Sequence, residues 1–360
     1  MHIPDGYLSP STCATLYVGA VIGWNGALRR IKRTLTTRVI PLISAFAAFS
    51  FVLMMFNVPL PGGTTGHALG VTIAAIVLGP SGAILAISIA IAIQALFFGD
   101  GGITTLGANC FNMAIVGSLV AYATYRMIAA GAAITSRRRL FAAATAGYLA
   151  TNAAAFVTAV EFGIQPIWFH DARGVPLYAP YALGVAIPAM MIGHLAIAGV
   201  AEAVVAAGLV AYLQVADPLL LMRTSGLSSD TIASNLGSPR HSLRRLWITV
   251  ALLLLLTPLG ILAAGSAWGE WSASAFSNPA GRARIAAASQ NQPAPPEAPS
   301  GLQRLSRLWT APVPKYAPQF MRSASFGYFL SGMFGVGVVM SLSLVTQSYL
   351  HRRRDPGQAE

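Results

Sequence analysis

A histidine follows Met1, and the two residues together offer coordination chemistry that neither offers alone. The terminal amine and the His2 backbone nitrogen close a five-membered chelate around a metal ion. The same backbone nitrogen and the His2 ring Nδ1 close a six-membered one. Three nitrogens then lie in one plane. One further imidazole completes a square-planar N4 site, the geometry typical of Ni(II) or Cu(II). His67, in Pro61-Gly62-Gly63-Thr64-Thr65-Gly66-His67, is the candidate for that corner, and the glycines before it permit close approach and unusual backbone angles. Taken singly, His67 reads as an ordinary loop histidine and His2 as a chance second residue. The weight lies in the combination.

The other chemistry-bearing residues point less far. His194 and Glu202 are eight positions apart in one apolar run, roughly 12 Å along a helix axis, so they cannot share an ion and read as helix-packing hydrogen-bonders. His170 falls in an external loop, and His241 and His351 sit among arginines. No G-x-x-x-x-G-K-[ST] loop is present, since the two lysines, Lys32 and Lys315, follow no suitable glycine run; ATP hydrolysis by that route is excluded. His-Glu-x-x-His and Gly-x-Ser-x-Gly are also missing. Catalysis, and any catalytic cofactor, is therefore not expected. Gly19 and Gly23 form a small-residue face for helix packing.

These residues must be positioned by apolar helices. Of 360 residues, 55% are hydrophobic and 9% charged, against about a quarter charged in a soluble domain. The net charge of +12 comes in short clusters between apolar runs, the punctuation of a polytopic membrane protein and not a nucleic-acid surface. Nine runs stand out, near 11–28, 39–57, 67–79, 81–98, 108–129, 140–161, 181–213, 246–264 and 326–349. Gly79-Pro80-Ser81 separates the third from the fourth and predicts a tight hairpin or a broken pair. The seventh is too long for one straight helix. If the runs alternate, 16 of the 23 basic residues fall on one side (the groups around Arg29–Arg38, Arg126–Arg139, Arg223–Arg245 and Arg352–Arg354). The expected topology therefore has the amino terminus outside and the carboxy terminus in the cytoplasm. No basic leader or small-residue cleavage site opens the chain, so Met1 and His2 are expected at the mature terminus. Cys13 and Cys110 both fall near outer ends of runs.

The expected organisation is a metal-binding membrane module over residues 1–222, a polar Gly/Ser-rich cytoplasmic linker over 223–245, and a module over 246–354 with two spans around a long external loop. That loop contains Gln290-Asn291-Gln292-Pro293-Ala294-Pro295-Pro296, a composition unable to bury a core.

Met1-His2-Ile3-Pro4-Asp5-Gly6-Tyr7-Leu8-Ser9-Pro10 resembles the opening of the substrate-binding components of nickel and cobalt energy-coupling factor transporters, the CbiM/NikM family. So do Gly66-His67-Ala68-Leu69-Gly70, the stretch Phe98 to Ala114 and Gly193-His194 with Glu202. The likeness covers roughly residues 1–215. The tail, with Pro258-Leu259-Gly260, Gly269-Glu270-Trp271 and Pro312-Val313-Pro314, is similar to the accessory component of fused forms, although Lys315 stands where an acidic residue is expected. The resemblance implies an all-α seven-helix bundle plus two further helices. It implies that Met1, His2 and His67 bind Ni(II) or Co(II), and that a transmembrane coupling protein and cytoplasmic ATPase subunits are partners. Using a backbone nitrogen requires its deprotonation, which Ni(II) repays better than Co(II), so nickel is favoured. Uptake is expected to fail progressively at acidic pH, because amine and imidazoles must lose protons to bind. Two rival readings are a stand-alone secondary metal carrier, against which the scarcity of buried acids argues, and a scaffold without bound metal.

Overall fold

The computed structural model describes residues 1–34, 39–61, 63–224, 240–262, 266–318 and 320–354. The linker expected at 223–245 therefore lies largely outside the described residues. Eight principal helices carry the architecture: α1 (Pro10–Thr34), α2 (Val39–Met54), α3 (Val71–Phe98), α4 (Leu106–Ala129), α5 (Arg137–Trp168), α6 (Leu183–Ala216), α7 (Arg240–Leu256) and α8 (Ala324–Arg354). The chain is an all-α polytopic membrane protein. Six helical segments among the described residues are long and apolar enough to cross a membrane, and α2 is a shorter apolar helix of 16 residues.

Local sequence sets several boundaries. The Ser9 hydroxyl accepts from the Thr12 amide at 3.2 Å, and Pro10, whose missing N–H costs nothing in a first turn, opens α1. Within α3, Gly79 takes φ 75° and ψ 170°, a conformation outside the helix that glycine tolerates, and Pro80 follows. Both ends of α3 return to the amino-terminal segment: His67 before it packs on His2, and Gly102 after it bonds Ile3. The chain thus reverses at Gly79, as the Gly-Pro-Ser break predicts. The helix begins at Val71 and not at 67 because Glu202 binds the Leu69 and Gly70 amides outside any helical ladder.

The long seventh run is one helix, α6, accommodated with a π-helical turn at His194–Ala198. Two more π-helical turns, Gln94–Phe98 and Cys110–Val116, flank the 99–109 segment. Such turns mark places where a helix is re-aimed for function, and all three border the amino terminus or the strand pair beside it.

That strand pair, β1 (Val58–Leu60) and β2 (Thr64–Gly66), is antiparallel with Val58 opposite Gly66, and it delivers the chain to His67. Leu60 packs on Gly193, where a Cβ would come within 2.9 Å. Gly19 and Gly23 seat Phe111 and Ile115 in the same way, so their face joins α1 to α4. Helices α7 and α8 both pack on α2, which is buried along nearly its whole length. Short helices Ala273–Ser277, Pro279–Ala288 and Ser300–Leu305 organise the connection between α7 and α8.

Candidate metal centre

The amino-terminal segment lies in the middle of the protein. Met1, His2 and Ile3 are 2%, 1% and 0% exposed. Their position is over-determined. The Ile3 amide donates to Asn109 Oδ1 at 2.8 Å, and the Ile3 carbonyl accepts from the Gly102 amide (2.9 Å), Asn109 Nδ2 (3.1 Å) and the Thr105 hydroxyl. The Asp5 carboxylate accepts from the Ile103 and Thr104 amides and the Thr104 hydroxyl. Tyr7 donates its hydroxyl to the Trp271 carbonyl at 2.7 Å, and the Ser9 amide donates to Gln165 Oε1 at 2.9 Å. Gly101, at φ +84°, closes against this segment; a Cβ there would stand 2.9 Å from Asn109 Nδ2 and 3.4 Å from His2 Nδ1.

The structure brings Met1, His2 and His67 together. The two imidazole rings have centroids 5.1 Å apart at an interplanar angle of 40°. Among the described residues, neither ring nitrogen of His2 has a hydrogen-bond partner; Asp100 Oδ1, at 4.0 Å from Nδ1, is too far to be one. His67 Nδ1 lies 3.2 Å from the Ala68 carbonyl, which can only accept. That contact puts the proton on Nδ1 and leaves the lone pair a metal requires on Nε2.

Burial is the main force on both rings. It lowers His2 from 6.5 to about 3, with the nearby amino-terminal charge adding to the effect. It lowers His67 to about 3 as well, reinforced by His2 and the amino terminus. Both imidazoles are thus held neutral, the form that binds metal, far into acid. Burial thus lessens the part the rings play in the expected loss of uptake at acidic pH, and the His2 amide must also lose its proton before its nitrogen can bind.

Supporting groups come from both ends of the sequence. Glu202 in α6 is fully buried, and its carboxylate accepts from the amides of Leu69 (2.7 Å), Gly70 (2.9 Å) and Thr72 (3.2 Å), so it fixes the backbone that carries His67. His194 is likewise hydrogen-bonded: its Nδ1 faces the Met190 carbonyl one turn back at 2.8 Å. Glu270, in the connection between α7 and α8, places Oε1 3.4 Å from the Met1 amine. Burial raises its carboxyl to about 7 against the pull of the Met1 ammonium.

A cavity of about 370 Å³ opens beside the His67 ring, lined by His67, Asp100, Glu270, Lys315 and Tyr316 among others. Tyr316 donates to Asp100 Oδ2 at 2.7 Å. Lys315, exposed and left-handed at φ 55°, stands at this cavity in place of the acid the tail resemblance leads one to expect. Cys13 and Cys110 are both buried free thiols.

Asp100, Asn109, Glu202 and Glu270 belong to the centre's surroundings, and sequence reasoning gave none of them that place. With only 11 acidic residues in the chain, each acid at the edge of an apolar run is itself a signal.

The fold is a helical membrane bundle that packs its own amino terminus inward, against a histidine from a buried loop. Residues 2–220 match the CbiM family, described as the cobalt uptake substrate-specific transmembrane region, and the chain belongs to that family. It is 52% identical to the fused nickel transport protein NikMN of Rhodobacter capsulatus over 95% of both chains. It is 40% identical to the probable fused nickel transport protein LarMN of Lactiplantibacillus plantarum, over 76% of this chain and 78% of that one. Among solved structures, a truncated transition metal transporter matches 59% of this chain and 98% of its own at 47% identity and a TM-score of 0.56.

Proposed function

We propose that the protein is the substrate-binding component of an ATP-driven uptake system for a divalent transition metal, with Ni(II) preferred and Co(II) second. The ion is held in a square of nitrogens by the Met1 amine, the His2 backbone nitrogen, the His2 ring and His67. The protein performs no catalysis itself; a transmembrane coupling protein and cytoplasmic ATPase subunits drive transport. Residues 1–222 form the binding module, 223–245 a cytoplasmic linker, and 246–354 an accessory module with two spans. The amino terminus faces outward and the carboxy terminus the cytoplasm.

One observation carries this reading. The His2 imidazole is 1% exposed with both nitrogens unpartnered, beside a second neutral imidazole and a terminal amine. A buried polar group without a partner is costly, and a metal ion relieves that cost at Nδ1. The names of the fused nickel transport relatives support the choice of metal. The cluster of basic ends supports the orientation: Arg126 donates to the Thr224 carbonyl and Arg245 to the Ala216 carbonyl, so the ends of α4 and α6 and the start of α7 meet away from His2.

The test is nickel and cobalt uptake by cells producing the protein with and without coupling and ATPase subunits. Uptake is expected only with both present and is expected to be lost in His67→Ala. Uptake by the chain alone, undiminished when ATP is depleted, overturns the reading in favour of a secondary carrier.

A further inference from the structure

Among the described residues, the tail reaches the proposed ligand set with the Glu270 carboxylate. Glu270 Oε1 lies 3.4 Å from the Met1 amine, and the His2 main-chain N–H is directed at the same carboxylate. These are the two main-chain nitrogens of the proposed square, and they are the two that must each release a proton to an entering ion. The segment that bears Glu270 is rigidly held. Its own amide donates to the Ala267 carbonyl at 3.1 Å, Trp271 receives the Tyr7 hydroxyl, and Trp268 packs edge-on against Trp271 and Phe162, each at 5.7 Å. The Met1 ammonium sits at a residue only 2% exposed. Within hydrogen-bond reach it has one acid, and a buried charge stripped of its counter-ion is strongly disfavoured. With Glu270 neutralised, water becomes the better partner for the ammonium, and residues 1 and 2 have reason to leave the pocket.

We infer that Glu270 is a positioning residue through which the tail keeps the amino terminus seated for the ion, while standing outside the coordination square itself. The inference rests on the chelate reading above. When the ion binds, one proton leaves the ammonium and one leaves the His2 amide, both to water in the adjoining cavity, and two nitrogen lone pairs form bonds to the metal. The carboxylate is unchanged. Its contact to the His2 amide ends with that proton, while the amine keeps hydrogens that can still face it.

The experiment compares full-length wild-type protein with Glu270→Gln, which preserves side-chain volume, and Glu270→Ala. Samples stripped of metal with a chelator are exposed to an aminopeptidase, and loss of Met1 is followed by mass spectrometry. Release is expected to be at least about tenfold faster in both variants, a shift of 1.4 kcal/mol in seating. Nickel is then added, and the visible absorption of a square-planar nickel centre is recorded against time. Association should slow about tenfold, with the final spectrum unchanged. Equal aminopeptidase rates in wild type and Glu270→Gln overturn the seating role. An altered final spectrum makes Glu270 a ligand and overturns the positioning role. If wild-type protein gives no square-planar spectrum, the chelate reading fails, and the peptidase comparison still decides what Glu270 does.

Discussion

Two pairs of buried titratable residues occupy this protein, and they differ in what they have been given to bind. His194 and Glu202, both in α6, are satisfied. The His194 ring meets the Met190 carbonyl and the Glu202 carboxylate meets three amides of the turn before α3. His2 and His67 lie together with the His2 ring wholly unpartnered and the His67 Nε2 free to offer a lone pair. All four residues were visible in the sequence as titratable groups, and burial does not separate the two pairs. Hydrogen-bond satisfaction does. A buried polar group left unpartnered calls for an explanation, and at His2, beside a second imidazole and the terminal amine, an entering ion would supply one.

Exchanging single residues between these two classes tests the comparison most severely. His67→Ala removes one corner of the square and should lower nickel affinity by more than the roughly 100-fold typical of losing an outer-shell partner, read by equilibrium dialysis on folded protein. His194→Ala should lower affinity far less than His67→Ala, because the His194 ring is already satisfied by the Met190 carbonyl. Comparable losses in both variants would erase the distinction.

Glu202→Ala is the next largest effect. It leaves the Leu69, Gly70 and Thr72 amides without their acceptor. Each unsatisfied buried donor costs about 1–3 kcal/mol, so thermal stability falls, and nickel affinity should drop by about 10–100-fold through the loosened His67 backbone. A variant that loses stability but binds nickel as tightly as wild type would show that Glu202 serves the fold alone.

Gly101→Ala probes the same packing more gently. Its left-handed backbone and the 2.9 Å approach to Asn109 should cost about 1–3 kcal/mol of stability. Thermal unfolding measures it.

The pH response is smaller and separates rings from main chain. His2 and His67 sit at about 3 in the folded protein against 6.5 as free side chains. Between those values the unfolded chain binds more protons. The seating of residues 1–9 is therefore fully stable above about pH 6.5 and weakens as pH falls toward about 3, by up to about 1.4 kcal/mol per pH unit for each ring. Proteolysis of the amino terminus across that window checks the sign; the profile should flatten in His2→Ala. Near neutrality, chelation should release one proton from the ammonium and one from the amide, with none from the rings. Calorimetry in buffers of different ionisation enthalpy counts them.

Much of this was legible in the residues, for identifiable reasons. The apolar runs gave the helices, because a chain with 9% charged residues has little choice of environment. Gly79-Pro80 gave the hairpin, because that pair forbids a continuous helix. That Met1 and His2 could together chelate an ion followed from covalent geometry alone. The surroundings of the centre were hidden because they are joined across the whole chain: Glu270 meets Met1 across 269 positions and Glu202 meets Leu69 across 133. Glu202 was noticed as a helix-packing hydrogen-bonder, but its own run does not show that its partners are amides of another segment. Glu270 was noticed too, within Gly269-Glu270-Trp271, but local sequence says nothing about which end of the chain it faces. The neutrality of the rings depends on burial, which is a property of the packed protein.

The most direct test of the central claim is nickel titration of the purified protein beside a variant with one residue added before Met1, with square-planar absorption as the readout. The extension leaves every side chain in place and converts the terminal amine into an amide. One-to-one binding with a square-planar spectrum in the native chain, lost in the extended one, is the predicted result. Equal affinity and an unchanged spectrum in both would remove the amine from the coordination sphere and contradict the account.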